Sequence, residues 1–328
     1  MHLRLLFAAT LLAASVLSAA AASLIVNSLA PGAPDALAGD GLCEATPGGA
    51  DCSLVGAIQE ANALAGGDSI ALPAGTFPAW PVNEVRDAVV ISGAGPSETT
   101  ILGDGGDTVL AFDSVDVTLV GVTVTGGHGG NVGGGITNYS GHLTVIDSVI
   151  RDNTAVNVGG GIYNQGGRLT LIGTTVVNNF AMNVGGGIYN QGTADLVNST
   201  ITGNGVWNTG GGIHNEGAMS ISSCTVTNNY CTNTGAGIDN RSDGHGPVVL
   251  RNSLVAWNWL RDLLTGQPVG GYVDCIGDLE SRGYNLIKDP FLGDRTGTGA
   301  ATDLIGQLAP PALRVVHKTH ETHESCAS

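Results

Sequence analysis

The chain has 328 residues, 52 of them glycine and only 12% charged, with a mean hydropathy of +0.20. That is too apolar for disorder, and too rich in glycine for two ordinary globular domains. The 12 Lys and Arg against 28 Asp and Glu leave a net charge of −16, which excludes nucleic acid and anionic lipid surfaces as partners, since both need a basic face.

Residues 1–22 read as a signal peptide. Arg4 supplies the positive start, Leu5 to Leu17 form an apolar run, and Ala20-Ala21-Ala22 is an A-x-A cleavage pattern. The expected mature chain begins at Ser23, with a cut after Ala20 as the neighbouring option. Export to a secreted, extracellular or bacterial outer-surface location follows. No later run reaches the roughly 18 apolar residues of a membrane helix, so the mature chain is not expected to span a membrane. An oxidising location permits disulfides. Among Cys43, Cys52, Cys224, Cys231, Cys275 and Cys326, closeness in sequence suggests Cys43–Cys52 and Cys224–Cys231. No C-x-x-C occurs, and no metal site is assigned.

Residues 23–66 read as an N-terminal cap segment. Ser53 is placed to cap a short amphipathic helix with Leu54, Ala57, Ile58 and Ala61 on one face. Two less regular coils follow, holding Ile70-Ala71-Leu72 and Val89-Val90-Ile91. Beyond them the chain repeats itself. Asn-Val-Gly-Gly-Gly or a close variant begins at Asn131, Asn157, Asn183, Asn208 and Asn233, at steps of 26, 26, 25 and 25 residues. A fixed period in that range means stacked supersecondary units.

Within each unit the apolar period is two: Leu143, Val145, Ile150; Leu169, Leu171, Val176; Ala194, Leu196, Ile201; Met219, Ile221, Val226; Val248, Leu250, Val255. Val117, Leu119 and Val124 fit the same frame. Short alternating segments exclude a helical repeat and predict a right-handed parallel β-helix over 67–306, with coils of about 25 residues rising about 4.8 Å each. Three asparagine ladders are then expected: Asn131, Asn157, Asn183, Asn208, Asn233; Asn138, Asn164, Asn190, Asn215, Asn240; and Asn153, Asn179, Asn204, Asn229, Asn258. Amides can hydrogen-bond along such columns, and asparagine tolerates tight turns. Triplets such as Gly159-Gly160-Gly161 are expected to supply positive φ at corners.

The segment Gly39-Asp40-Gly41-Leu42-Cys43, then Cys52-Ser53-Leu54 and Ala57-Ile58-Gln59-Glu60-Ala61-Asn62, resembles the CSLREA-type opening of bacterial secreted β-helix proteins. Asp68-Ser69-Ile70, Leu72-Pro73-Ala74-Gly75-Thr76-Phe77 and Ser281 to Ile287 extend the likeness. The resemblance implies a pectate-lyase-like β-helix with an outer-membrane or adhesin-like role. Val55-Gly56 stands where that family usually has Arg-Glu, and the family's usual closing segment is missing. The 307–328 tail matches nothing upstream and reads as the product of truncation or a shifted reading frame.

The outward positions of the Asn-Gly strand are the expected place for chemistry. If Ile162 and Asn164 point inward, then Tyr163, Tyr189, His214 and Asp239 form one exposed column, beside Gln165, Gln191, Glu216 and Arg241. His214 is expected to meet Asp239, and Glu216 to meet Arg241. Glu216 and Asp239, as diagonal neighbours about 7–8 Å apart, have a separation suited to inverting glycoside hydrolysis. A polysaccharide lyase or hydrolase using Glu216, Asp239, Arg241 and His214, with calcium as the only cofactor considered, is therefore the alternative. The preferred expectation is a non-enzymatic structural or adhesin-like surface protein with no catalytic residue. It would touch cell-surface glycans or polysaccharide through Tyr163, Tyr189, Gln165 and Gln191. Asp104 and Asp107 offer too few ligands for a calcium loop. His317, His320 and His323 lie in the atypical tail, and Trp207, Trp257 and Trp259 read as packing over loops.

Overall fold

A computed structural model describes residues 21–80, 84–241, 246–262, 264–282, 285–288, 304–305 and 322–325. Residues 1–20 of the expected signal peptide, and the tail residues His317 and His320, lie outside the described residues; of His323 only the backbone is described. The chain winds into a parallel β-solenoid with four sheets of 11, 10, 7 and 8 strands. One coil shows the plan. Arg168–Ile172 lies on sheet 1, Thr175–Val177 on sheet 2, Phe180–Ala181 on sheet 3 and Ile188–Asn190 on sheet 4. Each strand pairs in register with its equivalent in the next coil: Leu169 with Ala194, Val176 with Ile201, Ala181 with Val206 and Asn190 with Asn215.

The apolar columns anticipated from the period-two pattern are the core, each side chain no more than 4% exposed from Val117 and Leu119 through to Leu250 and Val255. Burying one such side chain contributes about 1.5–3 kcal/mol before entropy is charged against it. The N-terminal end is closed by the helix Leu54–Ala63, whose cap Ser53 accepts the Gly56 N–H at 3.0 Å. The cap segment also contributes to the solenoid, because Ser23–Ile25 is the first strand of sheet 1, paired with Asp68–Leu72. At the other end Thr322–Ser325 pairs antiparallel with Asp278–Ser281.

The corners are built differently from expectation. None of the ladder asparagines has a positive φ. The left-handed positions are the residues just before two buried polar columns: Asp147, Gly173, Asn198, Ser223 and Asn252 at one corner, and Asp152, Asn178, Gly203, Asn228 and Trp257 at the next. Of each glycine triplet only the first residue is left-handed, as at Gly159 and Gly185. The second and third are glycine for space. A Cβ on Gly186 would lie 2.2 Å from the Gly205 carbonyl oxygen and 2.6 Å from that of Gly211, in the next coil.

Cys43 and Cys52 are disulfide-bonded across the cap loop. Cys224 and Cys231 are not: both thiols are free and buried. They belong to different columns. Cys224 takes the place of a hydroxyl in the corner series Ser148, Thr174, Ser199 and Ser253, where its sulfur accepts the Ser199 N–H and its own N–H donates to Ser253 Oγ at 3.1 Å. Cys231 lies on sheet 3 in an apolar cluster with Val206, Ala236 and Val273. Burial pushes both thiols up, Cys231 to about 12, so neither is a ready nucleophile.

Candidate functional site

The Asn-Gly strands build sheet 4. Their register places Tyr163 beside Tyr189, Tyr189 beside His214, and His214 beside Asp239, the order expected from the repeat. The tyrosine rings stack with centroids 5.5 Å apart, and the His214 ring lies tilted against Tyr189 at 5.2 Å.

The column is not exposed. Tyr163 and Tyr189 are each 7% exposed, His214 3% and Asp239 0%. The cause lies in the loop just before each strand. Val132, Val158, Val184, Thr209 and Thr234 bridge coil to coil as a strip of their own, and the valines pack over the tyrosines. The left-handed first glycine lets that loop fold back: a Cβ on Gly159 would sit 2.9 Å from the Tyr163 Cβ, and one on Gly210 2.7 Å from the His214 Cβ. The outer face of the strand is therefore an inner face of the loop.

The polar atoms of the column are used on one another. Tyr163 donates its hydroxyl to Gln191 Oε1 at 3.1 Å, and Tyr189 donates to Glu216 Oε2 at 2.8 Å. Gln191 Nε2 donates to the same Glu216 oxygen at 2.9 Å. His214 stands between the carboxylates, with Nδ1 3.1 Å from Asp239 Oδ2 and Nε2 3.3 Å from Glu216 Oε1. Arg241 donates Nε to both Asp239 oxygens at 3.1 Å. The expected His214–Asp239 contact is present, whereas Arg241 sits on Asp239 rather than on Glu216. Gln165 remains exposed at the edge.

Burial alone pushes both carboxyls up, but their partners outweigh it. Donors from Gln191, Tyr189 and His214 hold Glu216 below the usual carboxylate range. His214, Thr209 and Arg241 do the same for Asp239. Burial and the Glu216 contact push the Tyr189 phenol well above its ordinary value. Both carboxyls are thus ionised acceptors at neutral pH, and neither is poised to donate a proton. An inverting pair needs a water between its carboxyls; here the His214 ring bonds to both.

The second Asn ladder runs just inside this column. Asn138, Asn164 and Asn190 each donate Nδ2 to the next Oδ1 at 2.7 Å, and Asn215 to Asn240 at 2.8 Å. Asn138 Oδ1 is buried and unpartnered, since the preceding coil presents Phe112 at that register. The third ladder is also buried and has a member the sequence reading missed. Asn258 gives both its backbone N–H and Nδ2 to Asp274 Oδ1, at 2.8 and 2.9 Å. Asp274 is the last member of this column among the described residues. The shorter spacing of 16 residues between Asn258 and Asp274 hid it from the 25-residue period.

Asp104 and Asp107 accept N–H groups of their own loop, from Gly106 and Thr108. Among the described residues, no three His, Cys, Asp or Glu side chains gather as a metal site would require, and no helix is long and apolar enough to cross a membrane. No family model matches the chain, and neither a curated protein nor a solved structure does.

Proposed function

We propose that this chain is a secreted or surface-displayed β-helix of the CSLREA type, a non-enzymatic scaffold with an adhesin-like role that contacts glycans. The observation that carries this reading is the closure of the Tyr163–Tyr189–His214–Asp239 column: its charges are paired with one another and Asp239 is 0% exposed. A hydrolase or lyase needs its carboxylates open to a substrate.

Glycan contact moves to a different face. On the outside of sheet 3, Phe180 meets Trp207 edge to face at 5.6 Å, and Tyr230 stacks on Trp259 at 5.2 Å with the Arg261 guanidinium over the Tyr230 ring. Val156, Met182 and Trp207 are 40%, 39% and 49% exposed along the same face. Open rings of this kind suit the C–H faces of a sugar. The net charge of −16 disfavours a polyanion or a second copy of the chain as occupant.

The test is a polysaccharide panel with the mature protein, with and without calcium, scored for retention and for new reducing or unsaturated ends. Binding without products, lost in Trp207→Ala and kept in Tyr163→Phe, is the expected result. New ends that vanish in Glu216→Gln would instead establish the polysaccharide-active enzyme.

A further inference from the structure

Asp68 opens the strand Asp68–Leu72 and is 1% exposed. A carboxylate so placed needs a cation or a full set of donors. Its Oδ1 accepts the Ala22 backbone N–H at 2.6 Å, while Oδ2 is buried with no partner. The Asp68 backbone N–H is engaged elsewhere, with the Ala88 carbonyl at 2.9 Å. Ala22 is the point where the chain joins the solenoid. Its carbonyl accepts the Ser69 N–H at 2.9 Å and the Ser69 hydroxyl at 3.3 Å, and Ser23–Ile25 pairs in register with Ser69–Ala71. Ala22 packs against the core, whereas Ala21 is exposed.

We propose that the leader is cut between Ala21 and Ala22, and that the new α-ammonium of Ala22 pairs with both oxygens of Asp68. Water adds across the peptide bond, the C–N bond breaks, Ala21 leaves with a carboxylate and Ala22 keeps the amine, protonated at neutral pH. An amide offers Asp68 one hydrogen and no charge. An ammonium offers three hydrogens and a positive charge, which supplies the partner that Oδ2 lacks. Ala19 and Ala21 provide the small residues that such a cleavage needs.

This places the cut one residue from either site that the alanine pattern suggests. A chain starting at Ser23 would lose both the donor to Asp68 and the carbonyl used by Ser69. A chain starting at Ala21 would keep a neutral amide at Ala22 and leave Oδ2 unpartnered. The inference rests on the reading of residues 1–22 as a cleaved leader, and the experiment separates the two.

The full-length gene is expressed with its own leader, and the exported protein is analysed by N-terminal sequencing and intact mass. Ala22 as the first residue is expected. Ser23 or Ala21 first would overturn the inference while leaving export intact, and a retained leader would overturn both. The terminus reports without any variant. The ion pair itself is read by acylation of the α-amine at pH 7. The native protein should react at least about tenfold more slowly than folded Asp68→Asn, the effect of one unit in amine pKa. Equal rates would refute the pair.

Discussion

Two asparagine ladders that climb the same coils do different work. In the buried ladder Asn153–Asn258, each Oδ1 from Asn179 onward accepts two hydrogens from the preceding asparagine, and that of Asn153 accepts the Gly127 N–H. Asn204 Oδ1, for example, takes the Asn179 N–H and Nδ2, both at 3.0 Å. Each Nδ2 also reaches a strand carbonyl, as Asn204 does with Val176 at 2.9 Å. In the exposed ladder the bonds run only from side chain to side chain, Asn183 to Asn157 at 3.1 Å and Asn208 to Asn183 at 3.0 Å. Their direction is also opposite: buried amides donate toward the C-terminal coil, exposed ones toward the N-terminal coil. A buried amide cannot flip, because its oxygen faces a backbone donor and its nitrogen a backbone acceptor; an exposed amide is free of that constraint. What makes a ladder structural is its tie to the backbone, not its repetition.

Substitutions in the two ladders should differ in cost. Asn204→Ala strands the Asn179 N–H and amide and the Val176 carbonyl in the interior, and should cost about 4 kcal/mol in urea unfolding, from roughly 1–3 kcal/mol per orphaned group. A cost below that of an ordinary surface substitution would refute the distinction. Asp239→Asn tests the same principle with a charge. It leaves Arg241 without its carboxylate and His214 with Glu216 alone, and should cost about 3 kcal/mol.

A pH series sharpens this second test. Glu216 and Asp239 are both held below their ordinary values, so their contribution is complete at neutral pH. It is lost as acid protonates them, in the window below about pH 4. Acid unfolding monitored by circular dichroism should therefore be shallower in the Asp239→Asn variant than in the wild type. Asn183→Ala, in the exposed ladder, should change stability by less than about 0.5 kcal/mol. A loss comparable to that of Asn204→Ala would show the two ladders to be equivalent.

Much of this was legible in the sequence. The coil, the period-two strands, the three Asn columns and the His214–Asp239 contact all follow from register, because a parallel stack puts equivalent residues side by side. Burial of the tyrosine column did not follow, since alternation along a strand says which side faces the core and nothing about a loop folded over the other side. The signal was there in Val132, Val158 and Val184, apolar residues placed regularly in an otherwise turn-like motif. Cys224 was misread for a related reason. Closeness to Cys231 suggested a disulfide, but its place in the Ser148, Thr174, Ser199, Ser253 column marks it as a stand-in for a hydroxyl. The separate roles of the three glycines depend on how near the neighbouring coil's carbonyls approach, which no single coil encodes.

The shared direction of the buried amides gives the solenoid a growing end. If coils are added in the order of synthesis, every newly completed coil leaves amide hydrogens waiting on its C-terminal side, and the next coil arrives with the acceptor that fits them. The column behaves like a polymer with a fixed polarity, extended one unit at a time, with the Asp274 carboxyl its last member among the described residues.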